Sequence, residues 1–280
     1  MTAIQKLTRN SQNISKLSFS RTHFQQLADE NNEICCKGKY LTEQGKVVEI
    51  AEALQASIEN TKHFHYQDDI QPPSHPSSST AETLDTKIYV CFAQCIKAAL
   101  SLKKRKAQVH VGVLNSAHAT QPGGGKYESG CLSHESCLCR GSLLWPTLKQ
   151  FEGKKDTLYT INSSDEFKLS PSTCAIFSPK VPVHRRDALE AQFLDEIQEI
   201  SFVSIPPPNA FELADDDVVR KALRIRIFRA LAIFAQEGVE DLVLCSYGCG
   251  TRGNDPKMVA EVYNVSLCND VMCYVPLLYY

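Results

Sequence analysis

The sequence predicts an α/β layered domain behind a helical N-terminal segment. Three features point there. From residue 86 onward, short apolar runs alternate with amphipathic stretches, the order expected when helices cover a sheet. One stretch carries Val219, Leu223, Ile227, Ala230, Leu231 and Phe234, spaced as one buried face of a long helix that Gly238 ends. Two glycine-rich segments, around residues 123–125 and 248–253, follow apolar runs, where strands of such a sheet open into helices.

In chain order, residues 1–65 read as helical. In RTHFQQLADENNEICCKGKYLTEQGK, Phe24, Leu27 and Ile34 recur at helical spacing and Gly38 supplies the stop. An extended piece at 46–48 leads into a second helix over 49–59. Residues 68–85, DDIQPPSHPSSSTAETLD, are rich in Pro and Ser and poor in apolar side chains. They predict a linker or surface loop between a helical extension, residues 1–67, and a main domain, residues 86–280. In that domain 87–91 predicts a strand and 93–104 a helix whose basic end suits its dipole. Residues 108–114 follow as a strand with Val109, Val111 and Val113 on one face. Further strands are expected at 174–178, 200–205 and 242–246, and the tyrosine-rich run 271–280 reads as the last.

A chain of 280 residues can bury a real core, and its formal net charge of −2 shows no basic excess pointing to direct nucleic-acid binding. The longest apolar stretches, 239–246 and 271–280, fall short of the about 20 residues a membrane-spanning helix needs. The start, MTAIQKLTRNSQNISK, lacks the apolar run of a secretory signal, so the expected location is cytoplasmic or nuclear. Twelve cysteines are spread along the chain, several in apolar strands (Cys91, Cys174, Cys245), and read mostly as reduced buried thiols. The pairs Cys35/Cys36, Cys91/Cys95 and Cys137/Cys139 lack the spacing and the second pair of a zinc site, so no metal is expected.

Gly123, Gly124 and Gly125 follow the strand ending VGVLN after the connection SAHATQP. Glycine accepts positive φ and carries no Cβ, so backbone N–H groups can converge on an anion that approaches closely; a pyrophosphate is the natural tenant. A second segment, YGCGTRGNDP from Tyr247 to Pro256, also ends a strand and opens a helix whose N-terminal dipole favours phosphate. Together they predict a clamp. Neither segment matches the dinucleotide fingerprint or a P-loop.

VLNSAHATQPGGG with LCRGSLLWPTL behind it, then VPVHRRD, SIPPPNAF and YGCGTRGNDPKMVAEVY, resembles the microbial-type poly(ADP-ribose) glycohydrolases, a branch of the macrodomain fold. ADENNEICCKGKYLTEQGKVVEIAEALQASIENTK is similar to that family's helical preface, so the resemblance runs in order over nearly the whole chain. It implies a mixed sheet sandwiched by helices with ADP-ribose in the crevice. Gly123, Gly124 and Gly125 would line the proximal ribose and diphosphate, Gly248, Cys249 and Gly250 would hold the diphosphate from the other side, and Asn115 would reach the proximal ribose. The implied activity is hydrolysis of a ribose glycosidic bond in ADP-ribose or poly(ADP-ribose) conjugates, ADP-ribosylated protein among them, with no cofactor, no metal and no membrane.

The family's catalytic element is a Gln-Glu-Glu trio shortly after the glycines, whose second Glu acts on the bond. Counted back from Arg140 through LCR, the trio falls on His134-Glu135-Ser136, and a serine takes the second glutamate's place. Counted forward from Gly125, it falls on Ser133-His134-Glu135, and Glu135 keeps that place. One extra residue in a helix rotates everything beyond it by about 100°, so the insertion belongs more naturally in the 126–133 spacer; a π-bulge near Cys137 would restore the other count. Proton transfer to the leaving oxygen and from water needs a carboxyl of raised pKa, which serine cannot replace. Two readings follow: a hydrolase using Glu135, or an ADP-ribose-binding module disabled by Ser136.

The second clamp carries Thr251-Arg252 where the family usually has an aromatic; Arg252 could pair with phosphate or be solvated. His118 could face the ligand, and His134 could act as an acid or stand at a helix start. Asn254-Asp255-Pro256 reads as an N-cap followed by a first-turn proline, and Cys249 as a small packed residue without a histidine partner. The run from Lys103 to Lys106 reads as a solvated basic helix end.

Overall fold

A seven-stranded mixed sheet forms where the apolar runs stand. The structure is a computed structural model that describes residues 21–73, 87–106, 108–186, 191–267 and 277–279. The N-terminal part runs α1 (Arg21–Lys37), β1 (Lys39–Leu41), β2 (Val47–Glu49), α2 (Ala51–Glu59) and β3 (Lys62–Phe64). After it come β4 (Lys87–Tyr89), α3 (Cys95–Arg105), β5 (Val111–Ser116), α4 (His134–Gly141), α5 (Leu144–Lys149) and α6 (Leu158–Asn162). The chain continues with β6 (Ala175–Arg185), β7 (Phe193–Ile205), α7 (Ala210–Leu213), α8 (Asp216–Gln236), β8 (Asp241–Val243), α9 (Pro256–Val265) and β9 (Leu277–Tyr279). The strand order is β3-β6-β7-β5-β8-β9-β4. β5 lies parallel to β7 and β8, while β6 is antiparallel to both β3 and β7.

Successive side chains of a strand point to opposite faces, and β5 uses this to divide the core in two. Val111 and Val113 join the cluster beneath α1 to α5, whereas Leu114 joins the cluster beneath α8 and α9. The stripe predicted on α8 is buried along its whole length. Asp215 caps that helix by accepting from the Asp217 and Val218 amides, and Gly238 turns the chain away with φ of 68°. α1 ends as expected at Gly38, whose N–H donates to Ile34 O at 2.9 Å with φ of 67°.

Strand lengths differ from the sequence reading. β6 runs seven residues past the expected end at 178, through an irregularity between Ser178 and Val181 where Lys180 takes φ of 47°. β7 begins at Phe193 instead of 200, in a stretch of charged residues paired to β6. The pairing partner, not local composition, lengthens both strands. β5 runs from Val111 to Ser116 and β8 stops at Val243. The expected helical residues 1–20, most of the Pro/Ser-rich segment and the first part of the last strand lie outside the described residues.

The N-terminal part shares its core with the rest of the chain. β3 is an edge strand of the main sheet, and Ala28, Ile34, Tyr40 and Ile50 pack in the same cluster as Val111. Arg229 on α8 donates to the carbonyls of His65 and, at 2.8 Å, Asp68, which fixes the start of the Pro/Ser-rich segment. α1 is also stapled to α4. Asn31 Nδ2 donates to the Cys139 and Arg140 carbonyls at 2.8 and 3.0 Å, and its Oδ1 faces His184 Nε2 at 2.9 Å. Arg140, fully buried, donates to the Phe24 carbonyl at 3.2 Å and lies over the Phe24 ring. Carbonyls and an aromatic face thus offset the cost of enclosing its charge.

Gly112 sits in the middle of this packing. A Cβ there would stand 2.6 Å from Phe234 and 2.8 Å from Val239. Gly112→Ala is therefore expected to lower unfolding stability by about 1–3 kcal/mol in urea titrations, the usual cost of overpacking, and an unchanged midpoint would contradict this packing.

Candidate active site

The connection from β5 to α4 builds the first half of the site. Gly123, Gly124 and Gly125 take φ of 72°, 77° and 81°, three consecutive left-handed residues that only glycine adopts without strain. Space enforces the same choice. A Cβ on Gly124 would stand 1.9 Å from Ser133 Oγ and 2.6 Å from Ser136 Oγ, and one on Gly123 would meet Tyr127 and Trp145, whose rings stack at 5.2 Å. The loop is thus pressed onto the first turn of α4.

Glu135 lies on that turn and is fully buried. The His118 amide donates to its Oε2 at 2.6 Å and the Gly123 amide to its Oε1 at 3.2 Å. Burial pushes the carboxyl up to about 7, against the pull of the His118, Gly123 and Gly124 amides and of Asn115. No cation pairs with it among the described ion pairs. Protonated and ionised forms are therefore both populated near neutral pH, the condition for a group that gives and retrieves a proton.

Ser136 takes a different place. Its Oγ donates to the Gly123 carbonyl at 2.9 Å and lies 2.6 Å from Ser133 Oγ and 3.3 Å from Cys131 Sγ. α4 is regular here: the Cys137 amide donates to Ser133 O at 3.0 Å, an ordinary α-helical bond, and the π-bulge considered near Cys137 is not formed. Glu135 and Ser136 therefore stand one after the other on the first turn of α4, Glu135 accepting from the loop amides and Ser136 donating to the Gly123 carbonyl.

His134 is a strut. Its Nδ1 accepts from the Ser116 amide at 3.3 Å, which places the ring proton on Nε2, 3.4 Å from Cys95 Sγ. Burial pushes its pKa down to about 4, so the ring is neutral at working pH and links the end of β5 to α3. Asn115 follows Val111 and Val113 onto the α4 face of the sheet, is fully buried, donates to Ser204 Oγ at 2.9 Å and keeps an Oδ1 without a hydrogen-bond partner among the described residues.

His118 does face the loop. Its Nδ1 accepts from the Thr120 and Gln121 amides at 3.3 and 3.2 Å, which leaves the proton on Nε2, 3.0 Å from where a Gly125 Cβ would stand. Burial and then the Arg252 charge lower its pKa. That second influence comes from the other glycine loop, so the two loops approach each other here.

The second loop follows β8, the neighbour of β5. Gly248 has φ of 72° and lies against the buried Asn254, whose Nδ2 donates to Pro208 O and Tyr247 O at 3.2 and 3.3 Å. Gly250 has open space where a side chain would stand. Thr251 is exposed and Arg252 half-buried. Burial, then Asp255, raise the Cys249 thiol above its ordinary range, so it is not a thiolate. Asp255 caps α9 through the Lys257 and Met258 amides, with Pro256 in the first turn, as expected.

Two residues that sequence reasoning passed over complete this half. The Ala210 amide donates to Arg252 O at 2.9 Å, which seats α7 on the loop. Phe211 then covers Gly253, where a Cβ would be 2.6 Å from its ring, while leaving 72% of the side chain exposed. Asn209 Oδ1 is buried without a hydrogen-bond partner among the described residues. SIPPPNAF held the signal: an aromatic and an asparagine in a proline-rich turn after a strand.

The model of the microbial-type PARG catalytic domain matches residues 28–186. A solved structure of poly(ADP-ribose) glycohydrolase from Thermomonospora curvata is 28% identical over 92% of this chain and 93% of its own, with a TM-score of 0.81. The Thermomonospora curvata enzyme bound to the inhibitor ADP-HPD is 29% identical, covers 92% of each chain and has a TM-score of 0.79. The Deinococcus radiodurans enzyme in complex with ADP-ribose is 25% identical over 81% of this chain and 88% of its own, with a TM-score of 0.66. No curated protein matches the chain. The first glycine loop, the trio, α2 and the larger part of α1 fall inside the matched span, and the chain belongs to the family of microbial-type poly(ADP-ribose) glycohydrolase catalytic domains.

Proposed function

We propose that this chain hydrolyses the ribose glycosidic bond of poly(ADP-ribose) and of ADP-ribosylated protein, with Glu135 as both acid and base. The observation that carries the reading is the buried Glu135 carboxyl, poised at about 7 beneath the glycine loop. In this reading the diphosphate lies between Gly123, Gly124 and Gly125 on one side and Gly248, Cys249, Gly250 and Thr251 on the other, with Arg252 supplying a guanidinium. Phe211 offers an aromatic face and Asn209 Oδ1 an unpartnered acceptor, which suit a purine carrying an amino group. Asn115 positions Glu135 from below instead of touching the ribose. The solved relatives that hold ADP-ribose or ADP-HPD support the choice of ligand.

The proton balance needs one carboxyl. Glu135 gives its proton to the bridging oxygen as the bond to the anomeric carbon breaks, through a state with oxocarbenium character. The resulting carboxylate takes a proton from water as the water oxygen adds to that carbon, and the carboxyl is restored. Ser136 donates a hydrogen bond to the loop and exchanges no proton near neutrality.

Calorimetry with ADP-ribose tests the binding half, and release of ADP-ribose from labelled polymer tests the chemistry. Glu135→Gln is expected to lower turnover by about 10²–10⁴-fold while ADP-ribose still binds. Wild-type protein that binds ADP-ribose and releases none would be a binding module with Ser136 in the catalytic glutamate's place.

The pH profile has a definite sign. An acid must enter the cycle protonated, so kcat/KM is expected to hold below about pH 7 and to fall about tenfold per unit above it. A profile flat from pH 6 to 9 would remove Glu135 as the acid.

A further inference from the structure

Beside the glycine loop, between α1 and the segment that leads into α4, lies an open cavity of about 330 Å³ lined by Arg21, Phe24, Lys126, Gly130, Cys131 and Leu132. Its walls carry two cations and no carboxylate. Lys126 directly follows Gly125. Arg21 Nε donates to the Ser129 carbonyl at 2.7 Å, which fixes the guanidinium at the rim. A third cation stands behind the wall: Arg140 lies over the Phe24 ring, donates to the Cys131 carbonyl, and keeps a buried Nη1 without a hydrogen-bond partner. None of the three belongs to an ion pair among the described residues. Three positive charges around one concavity, none in an ion pair among the described residues, create a potential that draws an anion.

The cavity is separated from the site by the thickness of one residue. Cys131 forms its wall, and Cys131 Sγ lies 3.3 Å from Ser136 Oγ and 3.9 Å from the Gly124 carbonyl oxygen. In a polymer the bond to be cut joins the bound ribose to a ribose of the next ADP-ribose unit, and that unit carries its own diphosphate a few bonds from the leaving oxygen. Resting on the function proposed above, we propose that this cavity seats the diphosphate of the neighbouring polymer unit. Guanidinium and ammonium groups on a shared wall match a diphosphate in charge and geometry.

Calorimetry on the full chain in a Glu135→Gln background, used throughout so that no ligand is cleaved, with ADP-ribose, its dimer and its methyl glycoside, whose aglycone carries no charge, tests this. This background is expected to bind the dimer about tenfold more tightly than ADP-ribose, and the methyl glycoside like ADP-ribose. Arg21→Ala combined with Lys126→Ala should bind dimer and monomer alike, with monomer affinity unchanged within about twofold. The charge-keeping pair Arg21→Lys and Lys126→Arg should retain the preference, which separates loss of charge from loss of fold. A Glu135→Gln chain with both cations and no preference, a preference shared by the methyl glycoside, or one that survives loss of both cations overturns the proposal. Absence of ADP-ribose binding in the wild type overturns the underlying function instead, and the cavity's role with it.

Discussion

Glu135 is buried without a cationic partner among the described residues, and its carboxylate draws together pieces of chain that would otherwise diverge: the end of the β5 connection at His118, the glycine loop at Gly123, and the first turn of α4. Removing a carboxylate from water costs several kcal/mol unless hydrogen bonds replace the lost solvation. Backbone amides supply part of that replacement, and the N-terminal end of α4 adds a favourable dipole. The remaining imbalance leaves the carboxyl up at about 7. The bonds that shape the loop are thus the ones that set the chemistry of the acid.

That arrangement dictates much of what surrounds it. Because Gly124 rests on Ser133 and Ser136, a side chain at 124 would push the loop off α4 and carry the amide of Gly123 away from Glu135. α4 must in turn be fixed from behind. Asn31, Arg140 and His134 do this from three directions, through α1, the aromatic pair Phe24 and Tyr127, and Cys95 of α3. The N-terminal helices therefore belong to the site's support, and they also form one wall of the cationic cavity.

Where local rules decide, the residues were legible. The stripe on α8, the caps at Asp215 and Asp255 and the glycine stop after α1 each follow from spacing or from one residue's preference. The two glycine loops were legible for the same reason, since Gly123, Gly124 and Gly125 in the first and Gly248 and Gly253 in the second take positive φ, which leaves almost no other residue available. Contacts between distant residues were not legible. The full lengths of β6 and β7 depend on pairing, and Asn115 turns inward because β5 places it on the α4 face. His134 becomes a strut through Cys95, 39 residues away, and Phe211 reaches the second loop only once α7 folds onto Arg252. The register of the trio was open to counting but not to decision, because both counts leave Glu135 in the first turn of α4.

The central claim is that one enclosed carboxyl changes its charge near neutral pH. Carbon-13 NMR of protein labelled at glutamate carboxyls measures this without substrate, with the Glu135 resonance identified by its disappearance in Glu135→Gln. Titration of that resonance with a midpoint of about 7 is the predicted result. A midpoint in the ordinary glutamate range near 4.5 would contradict it.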